Sequence, residues 1–231
     1  MRIAVIGAKG LLGSAIYKEL SQNPKDTTTA VTRDNYADKQ KQSFDVIINC
    51  AMPSARFWAK NNPGQDFIET VKKTADLLSG WQFKKFVQVS TVSARCQLDT
   101  VYGRHKLAAE KLCNFGDNLI IRLGAVYSPE IKKGVLVDMK EGKKVFVDGA
   151  SRYCFASLDF VSQWVAANLD RRGIVEVGGK NAVALKEVAK RFGQAVEFEG
   201  AIDHQEIENP EPDFPEAAEV LTFVDKLKAK T

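Results

Sequence analysis

Apolar and polar positions follow two alternating periods over the first half of the chain. Short apolar, β-branched runs predict five strands, at residues 2–6, 28–32, 45–50, 85–90 and 118–122. Between the strands, apolar residues repeat at helical spacing: Leu12, Ile16 and Leu20; Phe67, Val71 and Leu78; Ala108 and Leu112. Repeated strand–helix units of this kind predict an α/β fold, a Rossmann-type doubly wound parallel sheet with right-handed crossovers.

Beyond Pro129 the pattern becomes less regular. It predicts helices over 134–141, 159–169 and 185–192, short strands over 145–147 and 174–177, and a last helix after the proline-rich, acidic stretch 207–215. We therefore expect two regions: residues 1–130 form the dinucleotide-binding sheet domain, and residues 131–231 form a small, partly interleaved substrate-binding region.

The composition excludes several classes of protein for this chain. The chain of 231 residues has 45% hydrophobic and 27% charged residues, which is normal for a soluble globular protein. The net charge is +4, but the basic residues are scattered, whereas a nucleic-acid surface needs a continuous stripe. The four cysteines show no metal or disulfide spacing, and no signal peptide or membrane-spanning run occurs. We expect a cytoplasmic protein with no nucleic-acid or membrane partner.

The most informative motif is Gly7-x-x-Gly10-x-x-Gly13, between the first predicted strand and the first predicted helix. Gly7 permits a tight exit from the strand, Gly10 lets a pyrophosphate approach the backbone, and Gly13 allows helix and strand to pack closely. The first helical turn, which includes Leu11 and Leu12, presents its N–H groups to the phosphates. The motif predicts a dinucleotide site; the alternative is an ordinary turn without a ligand.

Other candidate residues follow neighbouring strands. Asn49 and Thr91 fall at the carboxyl ends of predicted strands, as does Gly7, so all three should lie on the same rim of the sheet. We expect Asn49 and Ala51 to line the cofactor floor, because small residues there leave room for the nucleotide.

The sequence Tyr102-Gly-Arg-His-Lys106 is the second chemical motif. Residues four apart at the start of a helix project from the same side. A nearby ammonium favours a phenolate, so we expect Lys106 to lower the pKa of Tyr102 and fit it for proton transfer. Thr91, after the preceding strand, supplies a hydroxyl for the same substrate oxygen. The alternative is a surface tyrosine beside a solvated lysine.

These motifs together resemble the extended short-chain dehydrogenases/reductases of the NAD-dependent epimerase/dehydratase type. The resemblance rests on the glycine motif and on four further segments: Asp45-Val-Ile-Ile-Asn-Cys-Ala51, Phe86-Val-Gln-Val-Ser-Thr91, Val101–Glu110 and Ile121-Arg-Leu-Gly-Ala-Val-Tyr127. Val101–Glu110 is most similar to the dTDP-4-dehydrorhamnose reductase branch.

The resemblance implies a role for each matching residue. Thr91 is the catalytic hydroxyl, Tyr102 the acid/base, and Lys106 the residue that binds the ribose and tunes the tyrosine. It also implies a small-molecule substrate, such as a nucleotide sugar, and a homodimer. Only 10 residues separate Thr91 from Tyr102, fewer than the family usually has, which predicts a more open site.

The end of the second strand bears on the choice of cofactor. An acidic residue there selects NAD through the adenosine ribose. Arg33 could instead hold the 2′-phosphate of NADP, and Lys9 of the glycine loop could approach the same group. Asp34 is the counterargument for NAD. We favour NADP, with NAD as the alternative, while simple solvent exposure of Arg33 and Lys9 is a third reading.

Two functions remain open at this point. The first is an NAD(P)-dependent oxidoreductase or epimerase that transfers hydride at a carbonyl or hydroxyl carbon. The second is a sensor that binds NADP on the same fold without turnover. The two histidines, His105 and His204, are far apart in the sequence, so we expect no zinc site.

Overall fold

A six-stranded sheet in the order β2-β1-β3-β4-β5-β9 organises the computed structural model, which describes residues 1–229. The strands are β1 (Arg2–Ile6), β2 (Thr27–Val31), β3 (Ser43–Asn49), β4 (Gln82–Thr91), β5 (Leu119–Leu123), β6 (Val126–Tyr127), β7 (Arg152–Tyr153), β8 (Ala156–Ser157), β9 (Gly173–Val177) and β10 (Val183–Ala184). The helices are α1 (Leu11–Leu20), α2 (Tyr36–Gln40), α3 (Arg56–Asn61), α4 (Pro63–Phe67), α5 (Lys73–Gly80), α6 (Ser93–Cys96), α7 (Val101–Cys113), α8 (Val135–Lys140), α9 (Leu158–Ala167), α10 (Leu185–Phe192) and α11 (Glu219–Lys228). A π-helical turn, Ile68–Lys72, joins α4 to α5.

The five strands predicted in the first half are confirmed as β1 to β5. The central residues of β1, β3, β4 and β5 are buried, as expected for a parallel sheet covered on both faces, which explains the continuous apolar runs; in β2, at the edge of the sheet, only Val31 is buried. A core of large side chains forms on this sheet, with Phe44, Ile47, Trp81, Phe86 and Ile120 among its members. The Rossmann-type α/β class is therefore confirmed.

The strand order reverses at β1, which pairs in parallel with β2 on one side and β3 on the other. Ile6, the last residue of β1, lies level with Val31 and with Asn49, so the carboxyl ends of these three strands meet at one edge. Open α/β sheets bind their ligands in the crevice outside such a switch point. The rim expected for Gly7 and Asn49 is present.

The helical region after β3 differs from the predicted pattern. Val71 is buried, but Phe67 is 47% exposed, so these two residues do not share a buried face as the spacing suggested. The reason is the π-helical turn, which shifts the helix register. The buried face carries Asp66, Thr70 and Thr74, none of which is accessible to solvent.

Helix α7 is confirmed, but its buried face is not the apolar one expected. Leu112 is exposed, whereas Tyr102, Lys106 and Glu110 are buried. Burial of polar groups is stabilising only where each finds a partner, so their presence inside points to a specific arrangement and not to simple packing.

The chain divides into two compact units. The first comprises Met1–Arg122 and Ser162–Val175, and the second Leu123–Val161 and the described residues from Glu176 onward. In the second unit β6 pairs in parallel with β8, and β7 pairs antiparallel with β10. Its core includes Met139, Phe155 and Val188. The domain division at residue 130 stays a prediction.

The elements expected in the second half are mostly present. Helices α8, α9, α10 and α11 and strand β9 all occur near their predicted positions. The predicted strand at 145–147 is wrong: Val145 makes one isolated bridge to Phe198, and Phe146 is 72% exposed. A single bridge gives the segment too few ladder hydrogen bonds to form a strand. Within residues 1–229, no helix has the length and apolar character needed to cross a membrane.

A buried ion pair joins β4, α7 and β5 in the first unit. The carboxylate of Glu110 is 1% exposed and accepts a hydrogen bond from Arg122 Nη2 at 2.7 Å, with Arg122 Nε at 3.1 Å. Ser90 Oγ donates to the same carboxylate at 2.6 Å. Because Ser90 precedes Thr91 and Glu110 follows Lys106 on α7, this network fixes the helix relative to the strand end.

Replacement of the Glu110 carboxylate tests this network. Glu110→Gln leaves the Arg122 guanidinium buried without its counter-charge, which should lower the free energy of unfolding by about 3 kcal/mol. Urea unfolding followed by circular dichroism measures the loss.

Asp225→Asn is the matched control, since Asp225 also pairs with an arginine, Arg191, but at an exposed position. That change should cost less than about 1 kcal/mol. Equal losses in the free energy of unfolding of the two variants would show that the buried ion pair stabilises the fold no more than an exposed one.

Candidate active site

The glycine loop begins where β1 ends. Gly7 has a φ of 83°, and its N–H donates to Val31 O at 3.0 Å, which ties the loop to the end of β2. A Cβ at Gly13 would lie 2.4 Å from Gly7 O, so no other residue fits there without a shift of the backbone. The close approach of helix α1 to the loop, expected from the motif, is therefore real.

The start of α1 suits an anionic ligand. Gly10 is the N-cap residue and has no side chain with which to cap the helix. Leu11, Leu12 and Gly13 form the first turn, whose N–H groups lack partners within the helix by construction. Together with the helix dipole they favour negative charge. These features fit the pyrophosphate of a dinucleotide.

The floor beside the glycine loop is formed by residues after β3. Ala51 lies directly under Gly7, because a Cβ on Gly7 would come within 3.0 Å of Ala51 Cα. The Asn49 side chain is 1% exposed; its Nδ2 donates to Gln88 Oε1 and its Oδ1 accepts from Ala51 N, both at 3.1 Å. Asn49 thus holds the backbone of Ala51 in place.

Thr91 and Tyr102 are brought together by close packing of α6 on α7. A Cβ at Gly103 would lie 2.0 Å from Gln97 O and 2.7 Å from Ser93 O, so only glycine allows this approach. Thr100 caps α7 by accepting from Gly103 N at 3.0 Å. Thr91 Oγ1, at the end of β4, accepts from Ser93 N at 3.2 Å, and the Thr91 side chain lies near enough to the Tyr102 hydroxyl to lower the pKa of that phenol.

Lys106 lies one helical turn after Tyr102 and is 3% exposed. Its Nζ donates to Pro53 O at 2.6 Å and lies 5.1 Å from the centre of the Tyr102 ring. Pro53 follows Ala51 in the same loop, so the lysine connects α7 with the floor of the glycine loop. Burial lowers the pKa of Lys106 to about 7, against the opposing effect of the Asp66 and Glu110 carboxylates.

The expected effect of Lys106 on Tyr102 is wrong for this structure. Burial raises the pKa of Tyr102 to about 12, the Asp66 carboxylate also raises it, and Arg56 and the Thr91 hydrogen bond lower it by less. Loss of solvation outweighs the nearby cations because the phenol is almost fully enclosed. Tyr102 is therefore held in its neutral, protonated form.

The residues expected to choose the cofactor lie at the end of β2. Lys9 Nζ forms an ion pair with Asp34, which lowers the pKa of Asp34 through a hydrogen bond and charge attraction. Asn35 shapes the turn, accepting from Thr32 N at 2.8 Å and donating to Ala30 O at 3.0 Å. Arg33 is exposed beside this pair.

The contact between Asp66 and His105, beside Tyr102 and Lys106, was not identified from the sequence. Asp66 is inaccessible to solvent and its Oδ2 lies 2.7 Å from His105 Nδ1. The only sequence signal was a histidine between Tyr102 and Lys106, because nothing in the local pattern marks Asp66 as buried.

Among residues 1–229, no cluster of three or more histidine, cysteine, aspartate or glutamate side chains could hold a metal ion.

The model of the NAD dependent epimerase/dehydratase family matches residues 3–145, which is more than half of the chain. The chain belongs to this family. It is accordingly an enzyme of the NAD-dependent oxidoreductase or epimerase type. No curated protein matches the sequence of this family member significantly.

Solved structures share the fold of this epimerase/dehydratase. UDP-glucose 4-epimerase of Thermotoga maritima, with UDP-glucose, has 14% identity over 100% of this chain and 99% of its own, with a TM-score of 0.77. A dTDP-4-dehydrorhamnose reductase of Clostridium acetobutylicum has 16% identity, 99% and 100% coverage, and a TM-score of 0.76. UDP-glucose 4-epimerase of Thermus thermophilus, in complex with NAD, has 17% identity, 100% coverage of both chains and a TM-score of 0.74.

The lowered pKa of Lys106 predicts a particular dependence of stability on pH. The native lysine releases its proton near pH 7, whereas an unfolded lysine retains it to about pH 10.4. Between these values the unfolded state binds more protons, so this group makes stability rise with pH. The free energy of unfolding of the wild type should rise with pH, relative to that of Lys106→Met, by up to about 1.4 kcal/mol per pH unit.

Urea unfolding of both proteins at several pH values from neutral to mildly alkaline measures this slope. Other titrating groups cancel in the difference between the two proteins. If the difference in the free energy of unfolding between the two proteins stayed constant or fell as pH rises, the lowered pKa of the buried lysine would be contradicted.

Proposed function

We propose that this epimerase/dehydratase uses NADP(H) to transfer hydride at a carbonyl or hydroxyl carbon of a small molecule, with a nucleotide sugar as the substrate class. The observation that carries the proposal is the continuity of the site. Lys106 contacts the loop that lies under the glycine loop, and Tyr102, one helical turn earlier on α7, lies beside Thr91.

Each residue has a defined part in the proposed chemistry. A nicotinamide cofactor would supply the hydride chemistry. The backbone of Gly10, Leu11, Leu12 and Gly13 would hold its pyrophosphate, and Lys106 would hold its ribose. Tyr102, neutral at physiological pH, gives its proton to the substrate oxygen during reduction and recovers it in the reverse direction. Thr91 donates to the same oxygen and orients it.

The substrate class is supported by the family and by the ligands of proteins with the same fold. Structures similar to this one contain UDP-glucose, and one contains UDP-glucuronic acid with NAD. The segment between Thr91 and Tyr102 folds as the single turn α6 and adds little cover, which favours a substrate that needs no long enclosing loop. A homodimer stays a prediction.

NADP is proposed over NAD because of the charges at the end of β2. Asp34, the residue that would favour NAD, is already paired with Lys9. Arg33 is exposed next to this pair, and a guanidinium binds a phosphate through two parallel hydrogen bonds. Lys9 could exchange Asp34 for the 2′-phosphate when the cofactor binds.

Tyr102→Phe tests the role of the phenol. Turnover should fall by about 10²- to 10⁴-fold because the proton donor is lost, while the affinity for NADP(H) stays within a factor of about three. The assay follows NADPH consumption and product formation with UDP- and dTDP-linked sugars and their keto derivatives, so that net reduction and epimerisation are both detected.

Tyr36→Phe is the matched control, because it removes a phenol that accepts a hydrogen bond from Trp81 and has no part in the proposed chemistry. It should leave turnover unchanged. Full activity in Tyr102→Phe would refute the mechanism. Tight cofactor binding by wild type without turnover of any of these compounds would refute nucleotide sugars as the substrate class.

Arg33→Ala tests the choice of cofactor. Calorimetric titration of wild type should show tighter binding of NADP(H) than of NAD(H). The variant should lose about tenfold or more in affinity for NADP(H), the value of one charged hydrogen bond, and little for NAD(H).

Lys41→Ala is the control, since it removes an equally exposed positive charge from the residues after α2. It should change neither affinity. Tighter binding of NAD(H) by wild type would instead identify Asp34 as the partner of the ribose.

A further inference from the structure

Asp66 is an unusual buried group in the first unit. Its residue is inaccessible to solvent, yet only Oδ2 is engaged, at 2.7 Å from His105 Nδ1. Within residues 1–229, Oδ1 is buried and has no hydrogen-bond partner. Burial of a carboxylate with one oxygen unsatisfied is unfavourable. Packing alone does not account for an acid at this position.

The surroundings of Asp66 connect it with the candidate active site. His105 stands on α7 between Tyr102 and Lys106, and Phe67 packs edge-on against its ring at 5.5 Å. The carboxylate is close enough to Lys106 and to Tyr102 to interact electrostatically with both. Helix α4 and the π-helical turn after it both lie against α7. Such π-helical turns occur frequently at functional sites.

The charges around Lys106 come from several elements. Asp66 faces it from α4, Glu110 and the neutral Tyr102 from α7 itself, and Arg56 acts on Tyr102 from α3. Glu110 is already compensated, because it forms the buried ion pair with Arg122. Asp66 contacts His105 through one oxygen only, and its other oxygen has no hydrogen-bond partner in the described part of the chain, so its charge is less fully compensated than that of Glu110.

We propose that Asp66 is a positioning residue for the proton of Lys106: its buried carboxylate is the counter-charge that favours the ammonium form of Nζ against the effect of burial, and His105 holds that carboxylate in place. An ammonium donates three hydrogen bonds, enough for Pro53 O and for both hydroxyls of a ribose. The consequence for the cofactor rests on the proposed function. The charge pairing itself does not.

Nuclear magnetic resonance of lysine labelled with ¹³C at Cε measures the protonation of Lys106 directly. Lys106→Arg removes the signal and so assigns it. In Asp66→Asn the midpoint of the Lys106 titration should fall by about one pH unit or more, the usual effect of removing a nearby opposite charge.

Asp76→Asn is the matched control. It removes the same charge from α5, but from an exposed carboxylate that pairs with Lys72. The Lys106 midpoint should not move in this variant. An unchanged midpoint in Asp66→Asn, or an equal shift in both variants, would overturn the proposal.

A measurement on wild type covers the case in which Asp66→Asn does not fold. The ¹³Cγ resonance of Asp66 should shift in the same pH step as the Lys106 signal, because the two charges interact. Absence of that step would overturn the pairing. Neither experiment needs cofactor or turnover.

Binding of NADPH separates this proposal from the proposed function. If both hold, the pH at which wild type begins to lose affinity should move down in Asp66→Asn by the same amount as the lysine midpoint. Failure of wild type to bind any nicotinamide cofactor would defeat the proposed function, while the resonance titrations still decide the role of Asp66.

Discussion

The buried carboxylate of Glu110 is the contact on which the arrangement of the active-site residues depends. It accepts hydrogen bonds from Ser90 on β4 and Arg122 on β5, while its own backbone belongs to α7. Because this side chain binds two strands and belongs to the helix, it determines where the helix lies along the sheet. Thr91 is the residue after Ser90, and Lys106 lies one turn before Glu110. Their relative placement therefore follows from one ionic contact.

Polar burial is the recurring feature of α7 and its neighbours. Tyr102, Lys106, Glu110 and Asp66 are all buried, and each is partnered differently. Such groups weaken a fold unless they are paired, so their concentration on α7 and the neighbouring α4 indicates a functional site and not simple packing. The raised pKa of Tyr102 and the lowered pKa of Lys106 arise from the same desolvation.

The sequence was informative wherever one physical rule dominated. Buried parallel strands need continuous apolar runs, and the glycine loop needs residues without Cβ at Gly7 and Gly13, so β1 to β5 and the loop could be predicted. Helix α7 was located, but its inward face was misjudged, because Leu112 suggests an apolar face where polar side chains are buried. The π-helical turn and the contact of Asp66 with His105 depend on packing between segments 39 residues apart. No local pattern encodes that packing.

The close contact of Gly103 with Gln97 O and Ser93 O also bears on how this fold could diversify. Both ends of the segment between Thr91 and Tyr102 are immobilised, and only its tip, Leu98 and Asp99, is exposed. Insertions should therefore be tolerated best at this exposed tip, where Arg104 Nη1 is the side-chain donor to Leu98 O and Asp99 O. A new cover for the substrate could be grafted there, in evolution or by engineering, without moving the Thr91 and Tyr102 hydroxyls.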